Sequence, residues 1–180
     1  WFLNKIAPLS PAYNLSFAAR VLGRLEPAAF EEALQILVDR HDALRSTYPM
    51  IDGEPRRRVV GAAQARVTRV DCSGRPAEQV RQQIERDHRQ PFDLESGPLL
   101  RAQIYEQAAG ERVVLISVHH IALDGTALFV ALEELFALYS ALLHDTPIPA
   151  ASGAASFAGF AEWQAGYVGG AGRDRAYWAN

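Results

Sequence analysis

Cysteine and lysine are almost absent from this sequence, and the two gaps exclude several kinds of site. Cys72 is the only cysteine, so the chain forms no internal disulfide and no cysteine metal cluster, which fits a reducing compartment. Lys5 is the only lysine, the net charge is −3 and the pI is about 6.0. The charge pattern therefore does not predict a basic surface that would bind nucleic acid. No apolar run reaches membrane-spanning length, and no signal peptide is visible. We therefore expect a cytoplasmic chain that binds no metal, nucleic acid or membrane.

An initiator methionine is also missing, because the sequence begins at Trp1 without a polar lead-in. We expect a piece of a longer protein. Its 180 residues are enough for one domain with a substantial hydrophobic core.

Residues 112–125 carry the strongest signal in the chain. They begin as an apolar, β-branched run, which is typical of a strand buried on both faces. His119 and His120 end that run. A turn follows, and Asp124 and Gly125 open an amphipathic helix.

Strand geometry predicts different environments for the two histidines. Successive side chains point to opposite faces, so one imidazole packs into the core while the other faces an open site. Neutral imidazole is a suitable general base near pH 7 and can also hold a reacting group by hydrogen bonding. Asp124 lies where a carboxylate caps helix N–H groups or pairs with an arginine, and Gly125 permits close substrate approach. The structural alternative is two satisfied histidines and an N-capping aspartate.

Hydrophobic periodicity divides the remaining sequence into short strands and amphipathic helices. Pro8 and Pro11 predict irregular structure for residues 1–12. In the helix that follows Gly125, we expect Glu133 and Glu134 to face outward. The predicted elements up to the histidines are a strand 13–22, a helix 27–42, an extended segment 43–50, a turn at Asp52-Gly53 with a partner strand 55–60, a strand 66–71, a helix ending near Gln90, and an antiparallel hairpin of strands 99–107 and 112–119. Those after them are a helix from Gly125 to about His144, a linker 145–155, a helix 156–167 with Ser156 as N-cap, a break at Gly169-Gly170, and the start of another helix in 171–180.

Four separated stretches resemble, in order, the motifs of condensation domains in nonribosomal peptide synthetases. These domains belong to the chloramphenicol acetyltransferase-like superfamily. The stretches are residues 40–45 (R-H-x-x-L-R), 91–101 (P-F-D-L-x-x-G-P-L-L-R), 119–125 (H-H-x-x-x-D-G) and 157–163 (an aromatic-F-A-x-W motif). The opening Trp1-Phe2-Leu3 is similar to the end of the family's first motif. Their order and spacing make the resemblance specific, and it covers essentially all of the chain.

The resemblance implies an α+β fold, with a mixed β-sheet and helices packed on it. A condensation domain has two such lobes, and its active-site tunnel runs between them. Residues 1–145 would then be the N-terminal lobe. Residues 146–180 would be a linker and the start of the crossover helices toward a C-terminal lobe that this chain lacks.

The resemblance also implies a reaction of natural product biosynthesis. An acyl or peptidyl thioester arrives on the 4′-phosphopantetheine arm of an upstream peptidyl carrier protein. The amine of an aminoacyl thioester on a downstream carrier protein attacks it, and an amide bond forms. No cofactor is bound directly and no metal is implied, so the expected partners are the two carrier proteins and the missing lobe.

By resemblance, His120 is the catalytic histidine, and it either removes a proton or positions the amine. His119 is structural, as the alternation argument also indicates. Asp124 holds the loop through an arginine, for which Arg45 or an arginine of the missing lobe is a candidate, because an unpaired buried carboxylate is costly. The Gly125 N–H would stabilise the thioester oxyanion. Arg40, which opens the first of the four motifs, is a further supporting residue.

The motif departs from a frequent D-G-W-S continuation, because Thr126 and Ala127 follow Gly125. The departure leaves the subtype open and disfavours an epimerisation domain, whereas the intact His119-His120 pair disfavours the cyclisation subtype. An ester-forming or coenzyme A-dependent acyltransferase of the same superfamily is one alternative function. A catalytically inactive recruitment domain is another.

Overall fold

The computed structural model describes residues 1–61, 63–107, 110–151 and 157–170. The chain divides into two compact units, Trp1–Pro149 and Ala150–Asn180. The assignment of residues 1–145 to an N-terminal lobe and of 146–180 to a linker and crossover stays a prediction.

A four-stranded mixed sheet forms the centre of the first unit. In sheet order its strands are β1 (Asn14–Val21), β8 (Arg112–His119), β7 (Leu100–Glu106) and β6 (Val67–Asp71). β8 pairs antiparallel with both neighbours, whereas β6 and β7 are parallel. The mixed sheet and the β7–β8 hairpin confirm the predicted fold class. β8 lies between two other strands, and its apolar run is buried on both faces, as expected for a strand without charged side chains in its interior.

Helices cover the two faces of this sheet. α2 (Pro27–Arg40) and α4 (Gly125–Leu143) pack against each other and against the face of β8 that carries Ile116 and Val118. α3 (Ala77–His88) packs on the other face, where Leu115 is buried with Val80 of the helix. Each fully buried side chain of this kind contributes roughly 1.5–3 kcal/mol to the stability of the fold. The alternation along β8 thus assigns one cluster of the core to each face.

The lengths of these helices follow from their sequence signals. α2 starts at Pro27, which supplies a suitable φ for the first turn, and it ends at Arg40, two residues before the predicted end. α4 starts after Asp124 and ends at Leu143, close to the predicted His144.

By length and composition alone, α4 could cross a membrane, contrary to the expectation that no apolar run is long enough. One such helix is weak evidence, because core helices pass the same test. Leu132, Leu135 and Leu138 of α4 are buried in the core beside α2, which is the packing of a core helix.

The amino-terminal segment is not irregular throughout, as the two prolines had suggested. α1 (Phe2–Ile6) forms a single turn closed by hydrogen bonds from Lys5 N to Trp1 O (3.1 Å) and from Ala7 N to Leu3 O (3.0 Å). Proline blocks a helix only at and just before its own position, and the prolines come after this turn.

The extended segment predicted for residues 43–50 begins with a turn at residues 43–45 and is extended only in part after it. The Leu44 N–H donates to His41 O (2.9 Å), and burial of the Leu44 side chain holds that turn against the core. The strands that follow are two residues each: β2 (Ser46–Thr47) pairs with β5 (Arg58–Val59), and β3 (Met50–Ile51) pairs with β4 (Glu54–Pro55). The predicted turn at Asp52-Gly53 is confirmed, with φ of 52° and 79°. Pro55 lacks a backbone donor, which limits the length of the partner strand.

In the second unit, α5 spans Phe157–Gly170. The helix therefore includes Gly169 and Gly170, contrary to the predicted break, because each glycine costs an established helix only about 1 kcal/mol. The predicted N-cap Ser156 and the predicted helix in residues 171–180 lie outside the described residues.

Candidate active site

His119 is the last residue of β8 and is buried, with 5% of its surface exposed. Its backbone N–H donates to Leu99 O (2.9 Å), and its ring Nδ1 accepts a hydrogen bond from Ile121 N (3.1 Å). Burial, with smaller contributions from the positive amino terminus and from His120, lowers the pKa of His119 to about 4. The imidazole is therefore neutral at pH 7 and serves to shape the turn after the strand.

Two aromatic rings enclose the His119 ring. Phe92 stands edge-on to it, with 6.0 Å between ring centroids and 80° between planes. Tyr13 lies tilted against it at 6.2 Å. The Arg101 guanidinium lies over the Phe92 ring, 4.0 Å from the centroid. These contacts join the motif at residues 91–101 to the motif at residues 119–125.

His120 lies just beyond the end of β8 and is exposed. Its backbone N–H donates to Tyr13 O (2.8 Å), and its ring lies 6.5 Å from the Tyr13 ring in an edge-on arrangement. Within the described ranges no hydrogen bond engages either ring nitrogen. An accessible imidazole with available nitrogens is what a general base or an amine-positioning group requires.

A cavity of about 200 Å³ opens beside His120. It is lined by Trp1, Leu3, Asn4, Tyr13, His119, His120 and Ile121. Apolar side chains thus form most of the wall around one accessible imidazole. A group bound in this cavity would meet a polar side chain in surroundings that partly exclude water.

Asp124 is the N-cap of α4, and its Oδ1 accepts a hydrogen bond from Ala127 N (2.7 Å). The side chain is exposed, so it does not require a cationic partner. Arg45 is not that partner: it pairs with Asp42 and donates from Nη1 to Val60 O (3.0 Å). The prediction of an Asp124–Arg45 contact is therefore wrong, because groups close in sequence already satisfy the arginine. The N-cap alternative describes Asp124 correctly.

Gly125 is the first residue of α4 and is exposed at the same end of β8 as His120. A Cβ added to Gly125 would meet nothing within 4 Å, so packing inside this unit does not require a glycine there. The N–H groups of a first helical turn lack partners within the helix, and the helix dipole favours negative charge near them. An oxyanion is the kind of group that this position stabilises.

Arg40 lies at the end of α2 and contacts α4, not the histidines. Its Nη1 donates to Glu134 Oε1 (2.8 Å), and Glu134 Oε2 lies 2.6 Å from His41 Nε2. Burial alone would raise the pKa of Glu134, but hydrogen bonds from Arg40 and His41 outweigh it and lower that pKa. Glu134 thus faces α2, contrary to the prediction that it faces outward with Glu133. The contact attaches α2 to the helix that begins at the candidate site.

The structure therefore brings together only part of the predicted set. His119, His120, Asp124 and Gly125 lie between the end of β8 and the start of α4. Arg40 lies at the end of α2 and Arg45 in the turn that follows it, and both make contacts away from the histidines. Tyr13 was missed as a site residue. The sequence predicted that a strand begins at Tyr13, but the pairing of that strand with β8 is a tertiary contact. Among the described residues, no group of three or more His, Cys, Asp or Glu side chains could hold a metal ion.

The sequence matches the family described as the condensation domain over residues 1–180. It is 35% identical to a linear gramicidin synthase protein of Brevibacillus parabrevis over 184 residues, which cover 99% of this chain and 4% of that protein. Among solved structures it is similar to the starter condensation domain of rhizomide synthetase RzmA, with 29% identity, a TM-score of 0.87, and coverage of 99% of this chain and 46% of the other.

Two further structures bear on function. A variant of the same starter domain, solved in complex with C8-CoA, is 28% identical with a TM-score of 0.86 and covers 99% of this chain and 42% of that one. The X-domain in complex with OxyB, from teicoplanin biosynthesis, is 29% identical with a TM-score of 0.84. The match covers 94% of this chain and 36% of that one. The chain thus spans less than half of each solved chain and a few per cent of the gramicidin synthase protein.

Proposed function

The chain belongs to the condensation-domain family, and on that premise we propose that it is the N-terminal lobe of a condensation domain in a nonribosomal peptide synthetase. The complete domain joins an acyl or peptidyl thioester on an upstream carrier protein to the amine of an aminoacyl thioester on a downstream one. The observation that carries this proposal is the exposed His120 ring beside an apolar cavity, at the end of a buried strand.

In the proposed reaction the acceptor amine attacks the thioester carbonyl carbon. The C–N bond forms, the C–S bond breaks, the nitrogen loses one proton, and the upstream arm leaves as a thiol. His120 lies where it can accept that proton or hold the amine by a hydrogen bond. Neutral His119 maintains the turn that presents His120, and burial keeps its pKa low enough that it does not compete for the proton.

The first turn of α4 supplies the second element of the proposed mechanism. The thioester oxygen becomes negative as the tetrahedral intermediate forms, and a helix N-terminus stabilises that charge. Gly125 offers its backbone N–H at this end, and the absence of a side chain leaves the approach open. Asp124 contributes by capping the turn and not as a base.

The partners in this proposal are two carrier proteins, whose 4′-phosphopantetheine arms present both substrates, and a C-terminal lobe. The length of a related structure supports the need for that lobe, because this chain covers only 46% of the chain of the starter condensation domain. The proposal also includes a cytoplasmic location, with which the free, buried Cys72 thiol is compatible.

Two alternative functions have specific support. The complex of the starter condensation domain with C8-CoA favours a coenzyme A thioester as donor for related sites, with an amine or alcohol acceptor. The complex of the X-domain with OxyB favours recruitment of a partner protein by this fold. An accessible His120 in an apolar cavity supports a catalytic function over recruitment, because a docking surface needs neither.

The test uses the full-length protein with its upstream and downstream carrier proteins loaded. Transfer is followed by intact-protein mass spectrometry for the wild type and for His120→Ala. His144→Ala is the matched control, because His144 is an exposed histidine at the far end of α4. We expect mass to move to the downstream carrier in the wild type and in the control. Loss of a general base or of amine positioning should slow His120→Ala by about 10²-fold or more.

Each contrary result has a defined meaning. Normal transfer by a folded His120→Ala protein would show that the assignment of the active site is wrong. If the wild type transfers nothing from a carrier thioester but acylates an amine or alcohol from C8-CoA, the donor is a coenzyme A thioester and not a carrier-bound thioester. A wild type that transfers from neither donor yet binds a carrier protein would favour recruitment.

A further inference from the structure

Tyr13 contacts both histidines of the candidate site although it precedes them by more than 100 residues. Its ring lies 6.2 Å from the His119 ring and 6.5 Å from the His120 ring, measured between centroids. Its carbonyl oxygen accepts the hydrogen bond from His120 N (2.8 Å). Tyr13 therefore touches the backbone and the ring of His120 and also helps to line the cavity beside it.

Asn14, the next residue along the chain, fixes the position of Tyr13. Asn14 begins β1 and is paired in register with His119 of β8. The Asn14 side chain donates from Nδ2 to His88 O (2.7 Å) and to Gln90 O (2.8 Å) at the end of α3. Asn14 is nearly buried, so these bonds fix the backbone directly beside Tyr13.

The rings around the histidines form one continuous series. It runs from the Arg101 guanidinium to Phe92, from Phe92 to His119, from His119 to Tyr13, and from Tyr13 to His120. Each ring in the series except His120 is packed against a neighbour on two sides. His120 has only Tyr13 as an aromatic neighbour among the described residues. Among the described aromatic rings, Tyr13 is thus the one that packs against the His120 imidazole, and a ring in this position restricts the rotamers of its neighbour.

The phenol hydroxyl is not what makes this contact. In the described part of the chain the Tyr13 Oη has no hydrogen-bond partner, and 39% of the residue surface is exposed. The ring and the backbone carbonyl carry the interactions with the histidines. Phenylalanine preserves both features, whereas leucine preserves approximate size without the flat ring.

We propose that Tyr13 is a positioning residue for His120. The aromatic ring of Tyr13 holds the catalytic imidazole of His120 toward the cavity lined by Trp1 and Asn4. The inference rests on the proposed acyl-transfer function of that site. A base that samples unproductive rotamers reacts more slowly, because proton transfer and amine binding need a defined geometry. Substrate affinity depends on the whole tunnel, so the effect belongs to the rate of transfer and not to the binding of the carrier proteins.

The experiment compares Tyr13→Phe and Tyr13→Leu with the wild type in the full-length protein. The first readout is the single-turnover rate of transfer between loaded carrier proteins. We expect Tyr13→Phe to stay within about twofold of the wild type and Tyr13→Leu to be about tenfold slower or more. The dependence of rate on carrier concentration should be the same in all three proteins.

The second readout does not need transfer. Diethyl pyrocarbonate acylates accessible neutral imidazole, and peptide mass spectrometry measures how fast His120 reacts relative to the exposed His144. We expect the relative reactivity of His120 to change in Tyr13→Leu and to return to the wild-type value in Tyr13→Phe. A role of Tyr13 in overall stability alone would not produce this pattern among equally folded proteins.

Two results would overturn the inference. Equal loss of rate in Tyr13→Phe and Tyr13→Leu would assign the effect to the hydroxyl. A Tyr13→Leu protein with wild-type rate and unchanged His120 reactivity would show that the ring does not position the imidazole. If the wild type itself transfers nothing, the proposed function fails, but the reactivity of His120 still decides whether Tyr13 orients it.

Discussion

At the scale of single residues, two consecutive histidines occupy opposite environments. His119 is buried between Phe92 and Tyr13, whereas His120 is exposed one position beyond the strand. Desolvation disfavours the charged form of the buried ring and leaves the exposed ring available for chemistry. Asp124 accepts the Ala127 N–H and starts α4, and Arg45 is not its partner in this chain, while a pairing with an arginine of the missing lobe stays a prediction. The resemblance to a family therefore suggested which residues to compare, and the structure adds the contacts that each of them makes.

The buried His119 predicts a pH dependence of stability. Its pKa lies near 4 in the folded protein against 6.5 in an exposed histidine, so the unfolded chain binds the proton more readily between these values. Stability that depends on neutral His119 is therefore complete above pH 6.5 and decreases as the pH falls toward 4, by at most about 1.4 kcal/mol per pH unit. The protection factors of the β8 amides in the full-length wild type, which correct exchange rates for the intrinsic pH dependence of amide exchange, should therefore fall as the pH is lowered through this window.

His119→Asn is the matched variant for this prediction. Asparagine keeps a short polar side chain that can accept from Ile121 N but does not titrate. We expect the protection factors of the β8 amides in His119→Asn to depend less on pH between 6.5 and 4 than those of the wild type. An identical pH dependence in both proteins would show that another group titrates.

At the scale of elements, the end of α2 is fastened to α4, the helix that begins at the candidate site. Glu134 accepts from Arg40 and meets His41, and both basic residues belong to the first of the four motifs. Leu37 of α2 and Leu135 of α4 lie in the same apolar cluster. A polar contact at the rim and apolar packing below it together fix the angle of α4, and hence the direction in which its first turn points.

We predict that Glu134→Gln loosens this pair of helices. The variant keeps an acceptor oxygen but removes the charge, and the contact is intermediate between an exposed and a buried ion pair, so its loss should cost roughly 1–2 kcal/mol. Because the folded pKa of Glu134 is lowered below the ordinary 4.5, the stabilisation is present above pH 4.5 and is lost as the pH falls through the folded pKa. Amide exchange along α2 and α4 measures the effect.

Glu133→Gln provides the control, because Glu133 is the exposed neighbour of Glu134 on the same helix. It removes the same charge without touching α2. Faster exchange in Glu134→Gln than in Glu133→Gln is the expected result. Equal exchange in the two variants would mean that the Arg40 and His41 contacts do not stabilise the helix pair.

At the scale of the whole molecule, the chain supplies one side of the active site in the proposed function. It spans 46% of the starter condensation domain and 36% of the solved X-domain chain. The cavity beside His120 is open and measures about 200 Å³, which is below the usual 300–1,000 Å³ of an enclosed small-molecule site. A tunnel that excludes water from the thioester requires a second wall, and in the proposed function the C-terminal lobe supplies it.

We predict that the 180 residues alone catalyse no transfer, while the complete domain does. Without the second wall neither arm is held in register with the other, and the advantage of proximity is lost. The measurement is transfer between loaded carrier proteins, with amide exchange of β8 as evidence that the isolated chain is folded. Turnover by a folded isolated chain would contradict the two-lobe site.

Most of the fold was predictable from sequence because each element carries its own periodic pattern. The uncharged apolar run of β8, the stripe of α4 and the Asp52-Gly53 turn were each expected and are found. The errors lie where local patterns are weak. α1 is a single turn without an amphipathic repeat, and the segment after α2 is held by the burial of Leu44 and not by its own pattern.

By itself, the sequence determined that the run of β8 is buried, where most of the helices and strands lie, and which family the motifs resemble. Only the tertiary structure decided which side chains meet: Tyr13 with His120, Glu134 with Arg40, and Arg45 with Asp42 in place of Asp124. The physical reason is that periodicity reports the environment of a position along one element. A partner on a distant element is selected when the elements pack together, and that choice depends on the shape and charge of the whole core.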